Sequence, residues 1–150
     1  MIEMNSLHPD AHVAVIGASG GIGGAFCRAL AGSDRVRTVH ALSRSVTGFD
    51  DDKIRPSTLD LLDDASVEAA AERVSEDGPL DLVIVATGIL HRDELQPEKT
   101  LRDIDGSRML DVLQVNTVGP AVVAKHFLPL MRRGARSVFA VLSARVGSID

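Results

Sequence analysis

Tyrosine and tryptophan are absent from the 150 residues, and phenylalanine occurs four times. No phenolic hydroxyl is therefore at hand for proton chemistry. The one cysteine, Cys27, cannot close an intrachain disulfide and lacks the companions of a thiolate metal site, so a reducing, cytoplasmic compartment is the simplest expectation. No apolar run approaches the ~18 residues of a membrane span. The opening "MIEMNSLHPD" has neither the basic start nor the apolar centre of a leader, and we expect a soluble chain with no membrane partner. A net charge of −5 provides no general field for nucleic acid or an anionic membrane. Any phosphate-bearing ligand must be held by local geometry.

What is present is globular composition, 45% apolar and 25% charged, in a length suited to one domain spanning 1–150. "AHVAVIGA" reads as a strand buried on both faces. "SGGIGGAFCRALAGS" follows with Ile22, Phe26, Ala29 and Leu30 at helical spacing and Gly32 as a stop. "RVRTVHALSR" is a second strand, "GFDDDKIRPS" a polar loop, and "STLDL" a short third strand. "DDASVEAAAERVSEDGP" is a helix with acidic residues in its first turn and Gly78-Pro79 at its end. The apolar strand "LDLVIVATGI" then leads into a long helical connection whose rough stripe is Leu110, Leu113, Val118, Val122 and Phe127. "ARSVFAVLS" closes the series. Strict alternation predicts an α/β fold, a doubly wound parallel sheet with helices on both faces. In such sheets a ligand lies beyond the carboxyl ends of the strands, where Gly17, Ser43, Asp60, Thr87 and Ser143 stand.

"GASGGIG" places Gly17, Gly21 and Gly23 between a strand and a helix, with Ser19, Gly20 and Ile22 among them. Glycine there permits positive φ, close approach to a pyrophosphate, and tight helix–strand packing. The helix amino end supplies unpaired N–H groups, which is how an acidic protein can bind phosphate. No Lys-Ser or Lys-Thr follows, so this is not a nucleoside-triphosphate loop. A glycine-rich turn that merely packs is the plain alternative.

The spacing Gly-x-x-x-Gly-x-Gly resembles the short-chain dehydrogenase/reductase superfamily. With "GILH", "PEK", "VNTVGP" and "KHFLPLM", the chain from Val13 to about Ile149 is most similar to the branch of C-factor signalling proteins and sniffer-type carbonyl reductases. The resemblance implies a Rossmann-type sheet of about five strands in the order 3-2-1-4-5, and an NADP-binding domain matching the amino-terminal part of that family.

Where the second strand ends, an acidic residue usually binds the ribose of NAD, but this chain has "LSRS". Ser43 can donate a hydrogen bond and Arg44 can pair with a 2′-phosphate, which favours NADP over NAD. Arg44 can equally be a solvated loop arginine, and the run Asp50 to Asp52 reads as a solvent-facing turn. The resemblance gives Asp60 and Leu61 to the adenine, although Asp60 can also be a helix cap. It matches Val85, Ala86, Thr87 and Gly88 to the family's Asn-Asn-Ala-Gly. Only the glycine is kept, so Ala86, Thr87 and Gly88 are expected to pass the cofactor by their backbone.

Hydride transfer to or from a carbonyl needs a proton donor and a group that orients the oxygen. Pro120 has no N–H for the Asn116 carbonyl, so both a relay role and a plain helix kink predict distortion over 116–120. The family supplies Tyr, Lys, Ser and Asn, and the resemblance matches its Asn to Asn116. Ser143 is assigned the substrate-orienting position, one step early because Ala144 stands where the second serine belongs, with Ser148 as a fallback. Lys53, Lys99 and Lys125 do not replace the missing Tyr-x-x-x-Lys pair, which is expected beyond Asp150. His91 and His126 read as a loop residue and a helix-surface residue.

Two functions stay open. One is an NADP-dependent oxidoreductase of carbonyl reductase or alcohol dehydrogenase type, acting on a small carbonyl or alcohol. The other is a non-catalytic dinucleotide-binding or C-factor-like signalling protein. An open last strand would favour a homo-oligomer.

Overall fold

The computed structural model describes residues 6–45, 48–89 and 99–144. Strand β1, Ala11–Ile16, occupies the centre of the sheet because its small and β-branched side chains are almost wholly excluded from solvent on both faces. It pairs in parallel with β2, Val36–Ser43, on one side and β4, Leu82–Val85, on the other. β3, Ile54–Thr58, lies outside β2, and β5, Val138–Val141, lies outside β4. The order is β3-β2-β1-β4-β5, all parallel, as the alternation and the resemblance predict.

Alternate residues of β1 feed two cores. Val13 and Val15 pack with Cys27 and Leu30 of α1, Gly21–Ala31, together with Val39 and Ile84. Ala14 and Ile16 pack on the opposite face with Val67 and Val74 of α2, Asp64–Ser75, and with Val123 and Phe127 of α4, Gly119–Phe127. Between β4 and α4 lie a 3-10 turn at Leu101–Asp103, the helix α3 at Gly106–Leu113, and a π-helical turn at Gln114–Val118. The predicted distortion is therefore this π turn, one residue wider than an α turn, ending where Pro120 removes an N–H.

Three readings need correction. The third strand is Ile54–Thr58 rather than "STLDL", and Asp60 and Leu61 fall in the turn after it. Pro56 fits within β3 because that strand lies at the edge of the described sheet, where proline is tolerated. In α1 the buried face is Gly23, Gly24, Cys27, Leu30 and Ala31, while Ile22 is 63% exposed. The close glycine contact with the β1 loop, not the largest side chain, sets the helix face. The stripe through the long connection also breaks: Leu110, Leu113 and Val118 are exposed, and Val123 and Phe127 are buried. One extra residue in the π turn rotates the register by about 100°.

Candidate functional site

Beyond the carboxyl ends of the strands is an open cleft. Its floor is the turn between β1 and α1. Gly17 holds φ at +92°, a left-handed conformation, and its N–H and that of Ala18 donate to the Leu42 carbonyl at 2.8 and 3.1 Å. A side chain at Gly17 would also meet Thr87 Cγ2 at 3.0 Å. At Gly23 a Cβ would be driven into the Gly17 carbonyl group, 2.7 Å from its carbon. Gly21, in contrast, faces open space. The three motif glycines thus serve three different needs: backbone conformation, open approach and close packing.

Gly20 is the N-cap of α1 and has no side chain with which to cap it, and the first turn carries no acidic residue. Its N–H groups and the positive end of the helix dipole are left for an anion. Ser19 and Gly20 line the cleft next to them. Gly21, Ile22 and Gly23 form the start of the helix behind the lining.

The wall past β2 is Ser43 and Arg44. Ser43 is buried and its hydroxyl donates to the Ser45 carbonyl at 2.6 Å, so it folds the turn that carries Arg44 instead of offering a free donor. Arg44 is exposed, and among the described residues none forms an ion pair with it. Asp50, Asp51 and Asp52 are exposed and do not line the cleft, and Asp51 caps its own turn through the Lys53 N–H at 2.9 Å.

The next wall is Asp60 and Leu61. Asp60 accepts from the Leu62 N–H at 3.0 Å, while the cap of α2 is Asp63, which accepts from Ala65 at 3.1 Å. The reading of Asp60 as that cap is thereby corrected. Leu61 is nearly buried and lies against Gly119.

Ala86, Thr87 and Gly88 form the fourth side, anchored by the Ala86 N–H on the Ile16 carbonyl at 2.8 Å. Asn116 supplies what the missing asparagines do not. Its Oδ1 accepts from the Ile89 N–H at 2.8 Å and its Nδ2 donates to the Ile89 carbonyl at 2.6 Å, clamping this loop to the π turn. Ile89 and Val115 line the cleft as well, together with Ile16, Leu59 and Leu62. Reading the sequence passed over these five; Val115 and Ile89 flank residues already singled out, and that adjacency was the available signal.

The carboxyl edge of β5 is less closed. Leu142 donates to the Val85 carbonyl at 3.0 Å, and Ser143 follows it, exposed and outside the cleft lining. Ser148 and His91 lie outside the described residues. His126 is not a free surface residue, because its Nε2 meets Asp64 Oδ1 at 3.0 Å with the ring largely covered. The hydrogen bonds from His126 and Lys125 hold the Asp64 carboxyl below its ordinary range. Cys27 is buried, which pushes its thiol up to about 11 and leaves it unreactive. Among the described residues no cluster of metal-ligating side chains occurs, and no helix is long and apolar enough to cross a membrane.

Residues 11–148 match the family model described as short chain dehydrogenase. The chain belongs to the short-chain dehydrogenase family. It is 35% identical over 82 residues to the short chain dehydrogenase tazN of Aspergillus terreus, covering 54% of this chain and 17% of that protein. It is also similar to an NADPH-bound carbonyl reductase from chicken fatty liver, at 28% identity and a TM-score of 0.70, over 83% of this chain and 49% of that one. The Sniffer protein of Caenorhabditis elegans shares the fold at 24% identity and a TM-score of 0.77, over 95% of this chain and 66% of the other. The chain thus spans from 17% to 66% of the length of these relatives.

Proposed function

We propose that this short-chain dehydrogenase binds NADP(H) in the cleft and serves an oxidoreductase acting on a small carbonyl or alcohol. The observation that carries the reading is the glycine cradle at an uncapped helix amino end, with Gly21 facing open space and Arg44 on the adjoining wall. A pyrophosphate suits the N–H groups of α1, and a 2′-phosphate suits an exposed arginine that forms no ion pair among the described residues. The similarity to an NADPH-bound reductase supports the same cofactor.

When bound, a nicotinamide supplies hydride; the chain's own part is to hold and aim it. The α1 amino end holds the phosphates, Asp60 and Leu61 the adenine, and the backbone of Ala86 to Gly88 the ribose. Asn116 keeps that backbone in place, and Ser143 orients the substrate oxygen. A tyrosine donor is not among the 150 residues. This favours a second reading, in which the chain as it stands binds the cofactor without turnover. A cytoplasmic homo-oligomer accompanies both readings.

Fluorescence titration with NADPH and NADH separates the possibilities. NADPH should bind about tenfold or more tightly than NADH, and Arg44→Glu should abolish the difference. Equal affinities in the unaltered chain would overturn NADP specificity, and no binding of either would overturn the cofactor site. Oxidation of NADPH by any of a panel of aldehydes and ketones would remove the non-catalytic reading.

A further inference from the structure

We propose that Gly119 is a positioning residue whose missing side chain seats Leu61 and thereby sets the width of the cleft on its Asp60–Arg44 side. The inference rests on the reading of the cleft as a dinucleotide site and makes Leu61 the adjustable face of the adenine slot.

Gly119 has φ −56° and ψ −53°, right-handed helical values open to any residue. Glycine is a poor helix former, so backbone conformation does not account for it here. Space does. A Cβ at Gly119 would overlap the Leu61 side chain, 2.5 Å from Cγ and 3.1 Å from Cδ1. Both residues are buried, and Leu61 belongs to the core that includes Leu59, Val67 and Val123. With close-packed neighbours behind it, a displaced Leu61 has one open direction, into the cleft that it lines.

The π turn thereby serves both sides of the cleft. Asn116 within it clamps Ile89 and the loop after β4, and Gly119 at its end admits Leu61 from the turn after β3. The Gly119 N–H donates to the Gln114 carbonyl and so closes the turn that carries Asn116. One wide helical turn fixes the spacing between two walls that come from separate loops.

The test is calorimetric binding of 2′,5′-ADP, which carries only the adenine half, and of NADPH. Four proteins are compared: the unaltered chain, Gly119→Ala, Leu61→Ala, and the double variant, each checked for folding by circular dichroism. Gly119→Ala should weaken 2′,5′-ADP about tenfold or more, and the double variant should bind as Leu61→Ala does, because the shortened residue no longer collides. A loss of structure from any cause other than this collision would not be cancelled by shortening Leu61. If Gly119→Ala does not fold, the double variant should fold and match Leu61→Ala; a double variant that binds more weakly than Leu61→Ala overturns the proposal. So does a folded Gly119→Ala that binds 2′,5′-ADP like the unaltered chain, an outcome that leaves the dinucleotide reading standing. Failure of the unaltered chain to bind either ligand removes both.

Discussion

The unit β1–α1–β2 and the segment from α3 to β5 are built from similarly apolar sequence, yet the first is buried almost throughout and the second chiefly at α4. In the first, Val13, Val15, Cys27, Leu30 and Val39 are wholly buried. In the second, α3 buries no residue, and Met109, Leu110 and Leu113 are exposed despite their helical spacing. An amphipathic stripe makes burial possible; a complementary surface at the right rotation makes it happen. For α1 that surface is the sheet, reached through the Gly23–Gly17 contact. α3 lies on the far side of a register change.

The contrast breaks most severely at that glycine contact. Gly23→Ala forces a methyl into the Gly17 carbonyl group and should cost more than about 3 kcal/mol of stability in urea denaturation, with loss of NADPH binding. A near-normal midpoint with intact binding would show that the α1 contact is not what closes this half.

Next is the link between the halves. Arg132 forks onto the buried Asp81, with Nη2 donating to Oδ2 at 3.1 Å, and the same carboxylate accepts from the His12 N–H at 3.0 Å. Burial alone would raise the Asp81 pKa, but the hydrogen bonds from Arg132 and His12 outweigh it and hold it below the ordinary range. Asp81→Asn should therefore cost about 2–3 kcal/mol, since it weakens the charge-assisted hydrogen bonds that the half-buried Arg132 and the His12 N–H make to the buried carboxylate. An unchanged urea midpoint would mean that the fork does not couple β4 to the segment before β5.

A smaller effect comes from His40, buried in β2 near Asp77. Burial pushes its pKa down from 6.5 to about 4, and Asp77 offsets this only in part. The unfolded chain takes up the proton that the folded chain refuses, so stability present above pH 6.5 is lost as pH falls toward 4. The loss at pH 5 should be about 2 kcal/mol, and His40→Gln should remove most of that slope. A variant whose stability declines just as steeply would place the titration elsewhere.

The smallest change is expected on α3. Leu110→Ala should alter stability by less than about 0.5 kcal/mol, as its side chain is 67% exposed. A cost near 2 kcal/mol would show that this face is covered in solution and would erase the contrast.

Most of the fold and part of the site could be read from neighbouring residues. The glycine loop, Gly78-Pro79 and the distortion ahead of Pro120 are local matters, since each depends on what one residue's backbone can do. Ser43 lines the cleft, yet its hydroxyl is spent on Ser45, a geometry that composition does not reveal. The partner of Asn116 lies 27 residues away and uses only backbone atoms, so no residue type marks it. The polar stretch that reads as a loop contains the start of the third strand, because an edge strand and a polar loop look alike until the strands are ordered.

By itself the sequence determined the alternation of strand and helix, the parallel sheet that follows from it, and a glycine-rich helix amino end without a side-chain cap. These follow from periodicity and from backbone rules that act within a few residues. Only the tertiary structure decided which face of α1 is buried, what Asn116 holds, and why residue 119 is glycine. Each of those depends on contact between segments brought together by packing, and close-packed contact is decided by shapes that meet only in the folded chain.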